Sequence, residues 1–248
     1  MRSRRLRCSI AKLLPSSGVA SMKAALRTAL GHLRAACERF GHRTYSQEGE
    51  DLILARYFHD MPNGFFVDVG AHHPYRFSNT HLLYRRGWHG VNIDAMPGSM
   101  RRFRRARPRD INVEVAIGSV PGEATYFMFN EPALNTFDRS LLEERTTPPW
   151  KLVAEVTLRV RPLGAVLGEV LRPGQSIDLL TVDVEGRDLD VLQSNDWARF
   201  RPRMVLAETR GSRLADFAED PVVRFLGGHG YAMAARTFNT TFMIDESV

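Results

Sequence analysis

The 248-residue sequence predicts an α/β protein with one mostly parallel sheet, helices on both faces and an antiparallel pair at its end. Three observations predict it. Short apolar runs ending in acids or turn residues alternate with segments of helical spacing from residue 65 to residue 226. The hydrophobic fraction of 44% and the charged fraction of 25% are those of a globular chain long enough to bury one core. The last stretch, 231–244, reads as a hairpin instead of another βα unit.

Taken in order, Met22, Leu26, Leu30, Leu33, Cys37 and Phe40 recur at helical spacing, and Gly41 ends the pattern. An amphipathic helix is predicted there, capping the domain or mediating self-association into a homo-oligomer. A second helix follows Ser46, its expected N-cap, with Glu48, Glu50 and Asp51 opposing the helix dipole in the first turn. Met61-Pro62-Asn63-Gly64 turns into the first strand, Phe65-Phe66-Val67-Asp68-Val69. That strand ends in the turn Gly70-Ala71-His72-His73-Pro74, and a helix is predicted over 78–86.

Residues 91–94 form a second strand ending in Asp94, 99–106 an arginine-coated helix and 111–117 a third strand. Residues 122–129 are an edge strand after Val120-Pro121-Gly122. The polar, proline-bearing stretch 130–150 is the candidate lid or substrate loop. An extended segment over 156–160 and a helix over 163–171 lead to the break at Pro173-Gly174. A buried strand over 177–186 then carries Asp183 and Glu185 at its end. A short helix through 189–192, a strand over 204–208 and a helix over 221–226 precede the hairpin.

The net charge of +6 is unevenly spread. Residues 1–43 hold ten basic residues against the single acid Glu38, about +9, leaving about −3 for residues 44–248. The basic arm is poor grounds for a nucleic-acid binder, and no nucleic-acid partner is expected. Cys8 and Cys37 both precede the predicted core, so no disulfide framework or cysteine metal site is indicated. No apolar run approaches the roughly 20 residues that span a bilayer, and a cytoplasmic chain is expected.

Three predicted strands end in carboxylates: Asp68, Asp94, and Asp183 with Glu185. In a parallel sheet all arrive at one edge, where ligands bind. A dinucleotide fingerprint needs three glycines to close on a pyrophosphate, whereas Gly70 stands nearly alone. Asp-Val-Gly-Ala therefore suits a nucleoside ligand without phosphates, such as S-adenosylmethionine. Asp94 lies 26 residues beyond Asp68, close to the interval at which an acid reaches ribose hydroxyls. His72 and His73 are adjacent on a turn and converge poorly on one ion, so no metal is assigned. Arg101, Arg102, Arg104, Arg105, Arg107 and Arg109 read as a solvated helix face, with only Phe103 interleaved.

Read together, these segments resemble the FkbM family of S-adenosylmethionine-dependent methyltransferases. The resemblance is carried by Tyr45-Ser-Gln-Glu-Gly-Glu-Asp51, Phe66-Val-Asp-Val-Gly-Ala-His-His-Pro74, Ser78-Asn-Thr80 and Gly87-Trp-His-Gly-Val-Asn-Ile-Asp94. Ala116-Ile-Gly118, Asn135-Thr-Phe137 and Ile177-Asp178 through Asp183-Val-Glu-Gly186 follow in the same order. It covers 44–248 and leaves 1–43 as a separate basic, partly helical arm.

The resemblance implies a Rossmann-like class I methyltransferase fold with a seven-stranded sheet and S-adenosyl-L-methionine as cofactor. It implies Asp68, Gly70, Ala71 and His72 in the cofactor turn, with Asn79 near it. Asp94 would serve the ribose, with Ala95 beside it among the cofactor-binding residues, Glu114 and Val115 would flank the adenine, and Gln47 would approach from the preceding helix. Ala95-Met96 departs from the proline many relatives carry there. Asp183, Glu185 and His73 are the candidate bases, in that order, for a hydroxyl of a sugar, glycan or secondary metabolite. A Rossmann-like oxidoreductase and a non-catalytic nucleic-acid or scaffold protein using the basic arm are the alternatives.

Overall fold

A computed structural model of the chain describes residues 41–209 and 218–247, together with Thr28. The helix predicted over 22–40 lies, but for Thr28, outside them. The chain separates into two compact units, Met1–Arg43 and Thr44–Val248. All elements below belong to the second.

Among the described residues ten strands form two sheets: β1 Phe65–Val69, β2 His89–Asp94, β3 Ile111–Glu114, β4 Ala116–Ile117, β5 Gly122–Phe129, β6 Leu152–Arg161, β7 Leu179–Val182, β8 Met204–Glu208, β9 Tyr231–Arg236 and β10 Thr240–Asp245. The main sheet has seven strands in the order β3-β2-β1-β7-β8-β10-β9. β10 pairs antiparallel with both neighbours, and the other contacts are parallel. The order reverses between β1 and β7. A crevice therefore opens at their carboxyl ends, where the following helices leave for opposite faces.

Both faces of the main sheet are covered, and β1 is buried along its whole length. Phe66, Leu179, Leu206 and Phe242 pack on one side against Leu54, Phe58, Leu83 and Trp88. Val67, Val69, Leu180, Val182 and Val205 pack on the other against Leu163, Val166, Leu167, Val191, Leu192 and Leu226. The period of two along β1 sends Phe65, Val67 and Val69 one way and Phe66 and Asp68 the other.

Two expectations are corrected. Residues 111–117 are two strands: β3 closes the main sheet, and β4 joins a three-stranded sheet in the order β4-β6-β5. The chain parts at Val115, whose N–H donates to the Asp94 carbonyl at 3.0 Å, and Gly118 N–H then donates to Arg161 O. Ser46 does not cap the following helix, Glu50–Tyr57, whose N-cap is Gly49 at φ 88°. Ser46 Oγ instead accepts from Asp51 N–H and donates to the Asp51 carboxylate, bracing the turn before the helix. The stretch 130–150 carries short helical turns, Pro132–Leu134, Arg139–Leu141 and Leu142–Arg145. Together with the small sheet it forms a flap beside the crevice.

Candidate active site

A cleft of about 250 Å³ opens at the carboxyl ends of β1, β2 and β7, with the flap as its remaining wall. Of the residues singled out from sequence, Gln47, Gly70, His72, Asp94, Ala95 and Val115 line it. So do Asp183 and Glu185. Asp68, Ala71, His73, Asn79 and Glu114 do not.

Gly70 has φ 85°, and a Cβ placed there would sit 1.8 Å from the Asp183 carbonyl oxygen. Only glycine lets the turn after β1 close on the turn after β7. Gly70 and Ala71 donate their N–H groups to the Ile93 carbonyl at 2.9 and 3.1 Å, tying that turn to β2 as well. His72, Phe77 and Glu185 are non-glycine residues at positive φ, 52°, 56° and 58°, and all three line the cleft. Strained backbone of this kind gathers where a site over-determines its loops.

Asp94 is buried at the end of β2. Its carboxylate accepts from His72 N–H and Met96 N–H, each at 2.8 Å. A carboxylate has about four lone-pair positions, so beyond these two donors and the nearby Ser99 hydroxyl capacity remains for a ligand hydroxyl. Burial raises its pKa, and the two backbone donors oppose the rise.

Asp68 turns the other way, as its shared face with Phe66 requires. The Thr80 hydroxyl donates to it at 2.7 Å, and burial raises its pKa to about 6 against the pull of Thr80 and Arg107. Arg107 is fully buried, which corrects its reading as part of a solvated helix face. Nε and Nη2 donate to Pro74 O at 3.1 and 2.8 Å, and Nη2 also to Ser78 Oγ at 2.6 Å. Nη1 donates to Thr80 Oγ1 and Asn92 Oδ1 at 2.7 and 3.2 Å. All five guanidinium N–H groups are thus used to clamp the 74–80 segment against β2. Asn79 works with this clamp, its Nδ2 donating to Thr181 Oγ1 on β7 at 3.1 Å.

Asp183 follows β7, its N–H donating to Val69 O at 3.0 Å. Burial, then the carboxylates of Glu185 and Asp188, push its pKa well above the usual range. Glu185 carries an ion pair with Arg145, whose Nη1 also donates to Leu134 O at 2.7 Å. Thr136 Oγ1 donates to the Glu185 carbonyl at 2.9 Å. Arg145 and Thr136 therefore fasten the flap to the β7 loop.

His72 Nε2 is buried without a partner, and its pKa is lowered to about 4 by burial and then by Arg76, so the ring is neutral near pH 7. His73 Nδ1 accepts from Tyr75 N–H and Arg76 N–H at 3.1 Å, which commits that nitrogen to the turn.

Sequence reading assigned no role to Arg107, Tyr126, Asn135 or Arg145. Arg107 hides in a run of arginines, and only its long-range partners distinguish it. Tyr126 and Asn135 lie in the flap, where the one available signal was the Asn135-Thr136-Phe137 match. Among the described residues, no group of three His, Cys, Asp or Glu side chains is placed to hold a metal. No helix among them is long and apolar enough to cross a membrane.

The residues fit a nucleoside-bearing cofactor. Asp94 keeps free lone pairs at the cleft wall, and the buried His72 Nε2 and Asn135 Nδ2, both at the cleft, lack partners within the protein. Fold and cleft together define a class I methyltransferase architecture, with acids gathered at the switch point of a seven-stranded sheet. Residues 68–233 match the Methyltransferase FkbM domain. The chain belongs to that family of S-adenosylmethionine-dependent methyltransferases, which favours methyl transfer over the oxidoreductase alternative.

No curated protein matches the chain. Among solved structures it is similar to a precorrin-6y C5,15-methyltransferase from Geobacter metallireducens, with 13% identity over 82% of this chain and 90% of that one, TM-score 0.39. An O-methyltransferase from Bacillus cereus in complex with SAH shares 10% identity over 96% and 94%, TM-score 0.40. A TehB-like SAM-dependent methyltransferase from Corynebacterium glutamicum shares 14% over 92% and 100%, TM-score 0.37.

Proposed function

We propose that residues 44–248 form an S-adenosylmethionine-dependent O-methyltransferase domain acting on a hydroxyl of a sugar, glycan or secondary metabolite. The observation that carries this reading is the unequal state of the two acids after β7. Glu185 is neutralised by Arg145, whereas Asp183 lies at the cleft with its pKa raised by burial. A carboxylate of raised pKa is the stronger base, suited to taking the proton of an attacking hydroxyl.

The bound cofactor supplies a methyl group on a sulfonium, transferred by in-line displacement. Asp94 would hold ribose hydroxyls through its remaining lone-pair capacity, while Gly70 and His72 shape the turn beneath. Gln47 would close the cleft from the segment before the helix Glu50–Tyr57, and Val115 would flank the adenine. Asp68 and Asn79 act at one remove, through Thr80, Arg107 and Thr181, to hold the cofactor loop. Aligning the two reactants and excluding water supplies several kcal/mol of barrier reduction. Glu185 and Arg145 keep the flap closed over the reacting groups.

The test is to incubate the protein with S-adenosylmethionine carrying a 13C methyl group and a panel of methyl glycosides and hydroxylated metabolites. Carbon NMR then reads the bond formed. A new O-methyl signal, with kcat reduced on the order of 10²-fold in Asp183→Asn, supports the reading. A methyl group delivered to nitrogen, sulfur or carbon contradicts it.

A further inference from the structure

Asn135 is 6% exposed and lines the cleft from the flap. Its Oδ1 accepts from Phe129 N–H at 2.8 Å, which fixes the orientation of the amide. The other end, Nδ2, is buried and has no protein partner. Leaving a buried amide donor unmade costs about 1–3 kcal/mol, a cost that a ligand acceptor atom removes.

The position is held from both sides. Thr136, the next residue, exchanges backbone hydrogen bonds with Phe127 at 2.8 and 3.1 Å and donates its hydroxyl to Glu185 O. Tyr126, on β5, also lines the cleft and packs on Phe137 with ring centroids 4.6 Å apart. Burial, then the Asp94 carboxylate, raise the Tyr126 pKa, so its phenol stays a donor. The Asn135 amide lies beside the Tyr126 phenol and opposes that rise. Tyr126 and Asn135 line the same cleft as Asp94. The pair therefore faces the cleft that the Asp94 carboxylate also lines. Two neutral donors beside aromatic rings suit uncharged oxygens and ring nitrogens, whereas a carboxylate or phosphate would call for arginine.

We propose that Asn135, with Tyr126 beside it, is a nucleoside-binding subsite supplied by the flap. The Asn135 Nδ2 N–H donates to an oxygen or ring nitrogen of the ribose or adenine of the bound cofactor. This rests on the cofactor occupying the cleft as proposed above.

The test is calorimetric titration of the full chain and two variants with S-adenosylhomocysteine and with 5′-methylthioadenosine, which lacks the amino-acid tail. Asn135→Asp keeps an oxygen for Phe129 N–H and replaces the free donor with an acceptor. Asn135→Ala removes both ends. Asn135→Asp is expected to weaken both ligands roughly tenfold or more, the loss of one hydrogen bond of about 1.4 kcal/mol. Unchanged affinity within about twofold for both ligands, in variants whose circular dichroism matches the parent, would overturn the proposal. Weakening of S-adenosylhomocysteine alone would also overturn it, by moving the contact to the methionine end. Failure of the unmodified protein to bind either ligand would instead contradict the cleft assignment on which the subsite stands.

Discussion

The two sheets are built differently. β1 and β7 of the main sheet are buried at every position, whereas β6 of the small sheet alternates between half-buried and exposed along most of its length. A strand covered on both faces has no freedom to slide or tilt, and it delivers the residues at its end to fixed points. A strand covered on one face forms a wall that can be re-cut without disturbing the core. The main sheet thus fixes Asp94, Gly70 and Asp183, and the flap supplies Tyr126, Asn135 and Arg145. Val115 is the residue at which the chain passes from one sheet to the other.

The sharpest way to break this comparison is at Gly70. Gly70→Val forces a side chain onto the Asp183 carbonyl, so S-adenosylhomocysteine affinity is expected to fall more than about 100-fold, with lower thermal stability. Calorimetry alongside thermal denaturation checks it. Arg107→Met leaves Pro74 O, Ser78 and Thr80 without their donor and uncouples Asp68. Urea denaturation should show a loss of about 3–5 kcal/mol, the cost of opening a buried charge network.

Asp188 sharpens the comparison through pH. Its pKa is raised to about 7 by burial and then by Glu208. The folded value exceeds the unfolded one, near 3.9, so ionisation opposes folding. The group's stabilisation is complete below about pH 4 and lost as pH rises through about 7. Asp188→Asn should therefore flatten the decline in melting temperature between about pH 4 and 7.5. It should gain on the order of 2 kcal/mol over the parent at the upper end. The smallest effect is expected on the flap. Arg145→Gln frees Glu185 and should speed proteolysis within 130–150, while changing overall stability by only about 1 kcal/mol. A loss as large as that at Arg107 would show the flap to be part of the core.

Legibility in the sequence follows the same division. Strands buried on both faces are mostly apolar runs, so β1, β2, β7 and β8 could be read locally, with acids at or near their ends. Residues 111–117 read as one strand because the apolar character continues through Val115. Their division depends on Asp94 and Arg161, which are distant in sequence. Asp68 shared the same motif as Gly70, yet its strand parity sends it under the sheet toward Thr80. Arg107 sits among arginines that look identical to it, and only the closed 74–80 segment makes it a core residue. Asn135 was visible as a motif match, but its role depends on an amide whose other end is held by Phe129.

The central claim is that the cofactor binds at the carboxyl ends of β1 and β2 through Asp94. Calorimetric titration with S-adenosylhomocysteine, comparing the unmodified chain with Asp94→Ala, tests it most directly. The account predicts micromolar binding that weakens by roughly tenfold or more in the variant. Equal affinity in the two proteins, or no binding by the folded parent, would contradict it.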